Sequence, residues 1–142
     1  MDNQDRPQME AALKQTIIPA LRSAGFRGSF PHFRRIGNIQ TDLWTFQVDK
    51  YGGGFVIEIS SCPREGMTTA WGKFIPASKV TAHDINERLR LQNHPGSDTT
   101  AWYRYDTDAI DTIIARILEA LPLAEDWWAE RSVHELENRK RA

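Results

Sequence analysis

The sequence predicts an α+β fold: an antiparallel sheet of about four to five strands in a meander, with an N-terminal helix and two C-terminal helices packed on one face. Three observations predict it. Apolar residues recur at helical spacing near both ends of the chain. Between them, apolar and polar residues alternate with the period of two that a strand requires. Glycine-containing turns separate the alternating runs with no helical segment between them, which favours hairpins over parallel crossovers.

The first helix is expected over about Pro7–Ala24, because Met9, Leu13, Ile17, Ala20, Leu21 and Ala24 form one stripe. Pro19 lacks an amide proton and crowds the preceding turn, so it is expected to kink or divide this helix, and Gly25 suits its C-terminal stop. Ser29–Ile36 reads as the first strand, with Gly37-Asn38 as a turn. Ile39–Lys50 is the clearest strand: Trp44, Phe46 and Val48 alternate with Thr45, Gln47 and Asp49, as on a sheet with one buried face. Tyr51–Gly54 supplies hairpin glycines, and Phe55–Ser61 continues the meander until Cys62-Pro63. Arg64–Lys79 is broken by Gly66, Gly72 and Pro76 and yields no clear element. Glu87–Gln92 is expected as a fourth strand, Asn93–Gly96 as a turn, and Thr99–Tyr105 as a fifth strand or an irregular aromatic segment.

Asp106 or Thr107 is placed to cap a helix reaching about Leu121, whose stripe contains Ile110, Ile113, Ile114, Ile117, Leu118 and Leu121. Asp108 and Asp111 suit its positive end, and Pro122 is expected to stop it. A last helix is expected from about Ala124 to Arg139, with 138–142 fraying. The 142 residues suit a single domain spanning 1–142, with its core in about 9–130.

Composition narrows the function classes. Apolar residues make up 40% and charged residues 26%, a globular balance. Cys62 is the only cysteine, so no internal disulfide is expected. The N-terminus lacks the basic-then-apolar pattern of a signal peptide, and no apolar run reaches the roughly 18 residues of a membrane span. A cytoplasmic protein without membrane partners is the expectation. A net charge of −1 provides no general attraction to nucleic acid, and none is expected as a partner. Charge is nevertheless uneven. Lys14, Arg22, Arg27, Arg34 and Arg35 stand in a stretch without acids, whereas 98–130 holds eight acidic residues.

Motifs of reaction chemistry are sparse. His32, His83, His94 and His134 are far apart and none neighbours Cys62, so no metal site or other cofactor is expected. Cys62, before a proline, reads as an inert thiol, and Ser60-Ser61 lacks a nucleophile elbow. Tyr51–Gly54 precedes a strand rather than a helix, so it reads as a hairpin and not a phosphate loop. Asp49 and Glu58 are a candidate acid–base pair, but their alternation with apolar neighbours favours solvated strand charges. Arg34-Arg35 after Phe33 hints at an aromatic–basic groove, which the acidic C-terminal half opposes. Trp102, Tyr103 and Arg104 are residue types enriched at binding hot spots, and Trp127-Trp128 lie further on.

Several segments together resemble a bacterial family defined as a domain of unknown function, number 4304. They are Leu21-Arg-Ser-Ala-Gly-Phe26, Phe33-Arg-Arg35, Trp44-Thr-Phe-Gln-Val-Asp-Lys-Tyr51, Phe55-Val-Ile-Glu-Ile59 and Ile117-Leu-Glu-Ala-Leu-Pro122. The resemblance covers about residues 9 to 130, departs from the family at Asp49, and matches nothing over Arg64–Lys79. It implies an α+β fold and transfers no catalytic residue. By analogy of size and fold, such proteins resemble the immunity partners of polymorphic toxins.

Two expectations follow. The first is a non-enzymatic protein-binding module, such as an immunity protein, contacting a toxin or other protein through Trp102, Tyr103, Arg104, Asp108 and Asp126. The second is a small enzyme or ligand-binding protein with a pocket between sheet and helices, lined by Arg34, Arg35, Asp49 and Tyr51.

Overall fold

A computed structural model describes residues 2–92 and 101–141 of the chain. It is an α+β structure with an antiparallel six-stranded sheet among the described residues. The expected turn at 93–96 lies outside the described residues, as does the start of the expected fifth strand.

The N-terminal helical segment is longer than the apolar stripe alone predicts. It comprises α1 (Asp2–Ala12), a π turn (Leu13–Ile17) and α2 (Ile18–Ser23), running without interruption through Pro19. The wide turn is where the helix adapts: Ile18 N–H bonds to Leu13 C=O, one residue beyond the α-helical partner. That extra residue lies directly ahead of the proline, whose ring would otherwise crowd the preceding turn.

The expected first strand is two strands, β1 (Arg27–Ser29) and β2 (His32–Ile36), joined at a cis Phe30-Pro31 peptide. Their register pairs Arg27 with Arg34 and Gly28 with Phe33. Gly28 has φ of 126°, and a Cβ there would lie 2.4 Å from the His32 carbonyl oxygen. Only glycine fits this approach. Strands β3 (Gln40–Val48) and β4 (Gly54–Pro63) form the central hairpin, with Trp44 opposite Ile59 and Val48 opposite Phe55. Two short strands, β7 (Leu89–Arg90) and β8 (Tyr103–Arg104), lie along the other edge of β4. Both pair with β4, so the sheet is not a simple meander.

The segment that gave no clear element is ordered. It forms a small hairpin, β5 (Gly66–Thr68) and β6 (Phe74–Pro76), followed by a 3-10 turn over Ala82–Asp84. The Thr81 hydroxyl and Asp84 carboxyl cap that turn reciprocally. This segment covers the sheet face away from the helices. Leu43, Cys62, Val80 and Ala82 make a small core there, against Met67, Ile75 and Ile85. The sheet therefore has two covered faces where the alternation predicted one, and β3 is buried from Gln40 through Phe46.

The helical face carries the main core. Met9, Leu13, Ile17 and Leu21 pack with Phe33, Trp44, Phe46, Phe55, Ile57 and Ile59. Each such burial contributes about 1.5–3 kcal/mol. The C-terminal region is one helix, α3 (Ile110–Arg141), where two were expected. Pro122 does not stop it, and it runs on to Arg141. Ile113, Ile117, Ala120, Ala124 and Trp128 form an unbroken buried stripe on both sides of the proline. Pro122 itself is exposed, as is Leu118, whose carbonyl loses its bond, so water can satisfy that group. Trp127 and Trp128 point differently, as adjacent helical residues must: Trp128 is buried and donates to the Ser60 carbonyl, and Arg131 stacks over Trp127.

Because the stripe holds α3 through its proline, Pro122→Ala is expected to stabilise the protein by roughly 1–3 kcal/mol, by restoring a helical hydrogen bond. Urea unfolding checks this; a lower midpoint for the variant would show that the proline supports the packing.

Candidate functional site

The register places four polar residues in one row across the sheet face away from the helices. His32 on β2 stands opposite Thr45 on β3, Thr45 opposite Glu58 on β4, and Glu58 opposite Arg90 on β7. Side chains in such a row share a face, because each strand alternates in phase with its neighbour.

The 3-10 turn closes over this row. Ala82 N–H donates to the Thr45 hydroxyl at 3.3 Å, and that hydroxyl also bonds His32 Nδ1 at 3.1 Å. His83 Nε2 lies 3.0 Å from Glu58 Oε1, and Arg90 Nε donates to Oε2 at 3.4 Å. Glu58 is only 5% exposed, where a solvated charge was expected. The His83 contact lacks hydrogen-bond alignment, so among the described residues Oε1 has no in-line donor. The His32 and His83 rings meet edge to face with centroids 5.9 Å apart. Burial, then the nearby His83 and Arg34, hold His32 below its ordinary value.

A cleft of about 410 Å³ adjoins the row. His83, Asp84 and Asn86 line one side, and Thr68, Thr69 and Trp71 of the β5–β6 hairpin line the other. Trp71 is 79% exposed and Phe74 53%. The hairpin tip between them is held by three bonds: Thr69 N–H to Lys73 C=O, Gly72 N–H to Thr69 C=O, and Lys73 N–H to the Thr69 hydroxyl. The arrangement presents the Trp71 ring, the His83 imidazole and the exposed Asp84 carboxyl to anything entering the cleft, with the buried Glu58 behind His83. Among the described residues no group of three or more histidine, cysteine or acidic side chains is placed to hold a metal ion.

The residues expected to line a pocket between sheet and helices do not converge. Arg34 and Arg35 are strand neighbours and point to opposite faces. Arg34 donates to the Val80 carbonyl on the hairpin side. Arg35 lies on the helix side, bonded to Asp42 and Glu125 and stacked over Phe26 and Trp128. Burial alone would lower the pKa of Arg35, and its bonds to Glu125 and Asp42 more than reverse that. Burial raises Asp42 against the same contacts. Asp49 serves the β3–β4 turn: it accepts from Tyr51 N–H and pairs with Arg104 at 3.1 Å, and these hold its carboxyl below the ordinary value. Tyr51 is 81% exposed at the hairpin tip. Asp49 and Glu58 are not a pair either, since Glu58 faces Thr45, four residues or roughly 13 Å from Asp49 along the strand.

Of the residues expected at a binding surface, Tyr103 is buried and its hydroxyl donates to the Leu91 carbonyl. Arg104 bridges Asp49 and Asp106, beneath Trp102. Asp108 pairs with Arg116, and Asp126 is exposed on α3. The structure uses most of this set internally. Cys62 is buried, and burial pushes its thiol up to about 12, so it stays protonated and unreactive near neutral pH. His32, Glu58, His83 and Trp71 were not grouped by sequence reading; the hairpin registers of β2–β3 and β3–β4 were the available signal.

The class defined by this fold is a small α+β chain whose antiparallel sheet is sealed by helices on one side and by a hairpin segment on the other. The chain belongs to the family described as Domain of unknown function (DUF4304), whose model matches residues 17–131. No curated protein and no solved structure matches it. Among the described residues no helix is long and apolar enough to cross a membrane.

The lowered His32 pKa sets a pH dependence. In the folded state His32 binds fewer protons than in the unfolded chain, so its contribution is fully present above about pH 6.5. That contribution is lost as pH falls below this value toward the folded-state pKa. Between pH 7.5 and 5.5 the urea midpoint is expected to fall less for His32→Gln than for the unaltered protein; parallel curves would remove His32 as the cause.

Proposed function

We propose that this chain is a non-enzymatic protein-binding module, and most concretely an immunity protein that neutralises a polymorphic toxin by covering the toxin's active site. The observation that supports it is the pair Trp71 and Phe74, both exposed on a hairpin whose tip is tied by its own hydrogen bonds. Tryptophan dominates binding hot spots, and a tip already ordered in the free protein loses little conformational entropy on binding. The Thr68–Trp71 wall of the cleft beside it would accept a projecting side chain from the partner. Trp102 and Asp126 remain accessible enough to serve as secondary contacts, with rim charge steering the encounter.

Co-expression with the toxin domains encoded beside its gene tests this reading. Protected growth is expected, together with a direct complex. Trp71→Ala is expected to weaken that complex by about 2 kcal/mol, roughly 30-fold, with an unchanged circular dichroism spectrum. Unprotected growth with every such toxin would remove the immunity reading. Undiminished binding by a Trp71→Ala/Phe74→Ala variant would remove the hairpin from the interface.

A second reading is favoured by one observation: His83, beside the buried Glu58, lines the cleft. The chain would then be a small enzyme or ligand-binding protein whose pocket lies under the hairpin rather than between sheet and helices. A small molecule that raises the melting temperature of the unaltered protein, and does so at least tenfold less potently for His83→Ala, would favour it. Equal shifts in both proteins would exclude His83 from the pocket.

A further inference from the structure

A second cleft, of about 420 Å³, opens on the far side of the same sheet face, between the β1–β2 hairpin and the turn that precedes Val80. Arg27 and Arg34 both line it, and the β1–β2 register sets them directly opposite each other. Like charges in that relation repel, and strands ordinarily place an acid beside them. Among the described residues neither arginine has a carboxyl group within ion-pair distance. Arg34 spends its Nε on the Val80 carbonyl at 3.0 Å, which fixes the guanidinium, while among the described residues its two terminal nitrogens carry no other hydrogen bond. The Arg27 guanidinium makes no hydrogen bond or ion pair among the described residues. Desolvation disfavours the charge on Arg34, and the Asp84 carboxylate, beyond ion-pair distance, offsets that only in part.

The floor of this cleft is shaped to let a ligand approach closely. Gly25 and Gly28 leave it without side chains, and Gly28 tolerates none. Ile36, 54% exposed, forms an apolar wall beside the two cations. A planar guanidinium pair binds carboxylate and phosphate oxygens through parallel N–H bonds, and an apolar neighbour suits the stem that carries them.

We infer that the cleft between Arg27 and Arg34 is an oxyanion-binding site, taking the carboxylate or phosphate group of a ligand whose adjoining stem packs on Ile36. The oxyanion supplies the charge that the cross-strand pair lacks. This site is separate from the Trp71 cleft and does not depend on the binding reading above.

The two guanidinium Nε–H signals can be followed by nuclear magnetic resonance while sodium phosphate, and separately sodium acetate, is titrated at constant ionic strength. Saturable shifts at Arg27 and Arg34 are expected, with a Kd on the order of 1 mM for the better probe. Saturation by phosphate alone assigns a phosphoryl group, and saturation by acetate assigns a carboxylate. Arg27→Gln changes only an exposed side chain and is expected to raise the Kd about tenfold, with the fold intact by circular dichroism. Arg34→Lys, which keeps the charge but loses the planar fork, is expected to weaken binding as well. Shifts with both probes that are linear and no larger than those from chloride would overturn the inference. So would an unchanged Kd in Arg27→Gln.

Discussion

Trp44 and Thr45 are adjacent in the chain, point to opposite faces of β3, and are both fully buried. A strand in that position has no side left for water, so its polar groups depend on partners from the protein, and among the described residues the Trp44 Nε1–H is left without one. The rest of the structure follows from that constraint. On the helix side, Trp44 and Phe46 meet apolar stripes from both ends of the chain. On the other side, Thr45 bonds His32 and the amide of Ala82, and Ser60 donates to the Glu87 carbonyl. The segment over Gly66–Asp84 is as necessary to the sheet as the helices are, although its own apolar contribution is small.

The two faces are held by different physics. The helix side relies on area, with one polar junction at its margin. There Gln40 donates to Asp42 and to the Trp128 carbonyl, while Arg35 ties Asp42 to Glu125. That junction links β2, β3 and α3 across a wide separation in sequence. Its partly exposed ion pairs add register more than stability, since such pairs contribute about 0–1 kcal/mol each. The hairpin side relies on a polar ladder under a thin apolar lid. A face of that kind is easier to perturb by charge, and it is also where the exposed aromatic hairpin and both clefts beside the segment lie.

The central hairpin was legible in the sequence because strong alternation met a glycine turn, as was the helical character of both ends. Double burial was not, because Thr45, Glu58 and Ser60 are polar, and a period-two pattern assigns polar residues to solvent unless a remote segment is known to cover them. Pro122 was misjudged by a local rule: the helix-breaking tendency of proline is real, but a buried stripe on both sides outweighs it. The candidate site was hidden for a related reason. His32 and His83 are 51 positions apart, and Trp71 sits in a stretch of weak local signal. The divergence of Arg34 and Arg35, by contrast, follows from strand geometry alone and was readable from the sequence.

The protonated, buried thiol of Cys62 has a practical consequence. The chain contains no other cysteine, so a cysteine placed at an exposed site such as Asp126 becomes the sole thiol open to maleimide chemistry at neutral pH. A fluorophore or spin label can therefore be attached at one chosen point while the native residue stays in its core beside Leu43 and Val80.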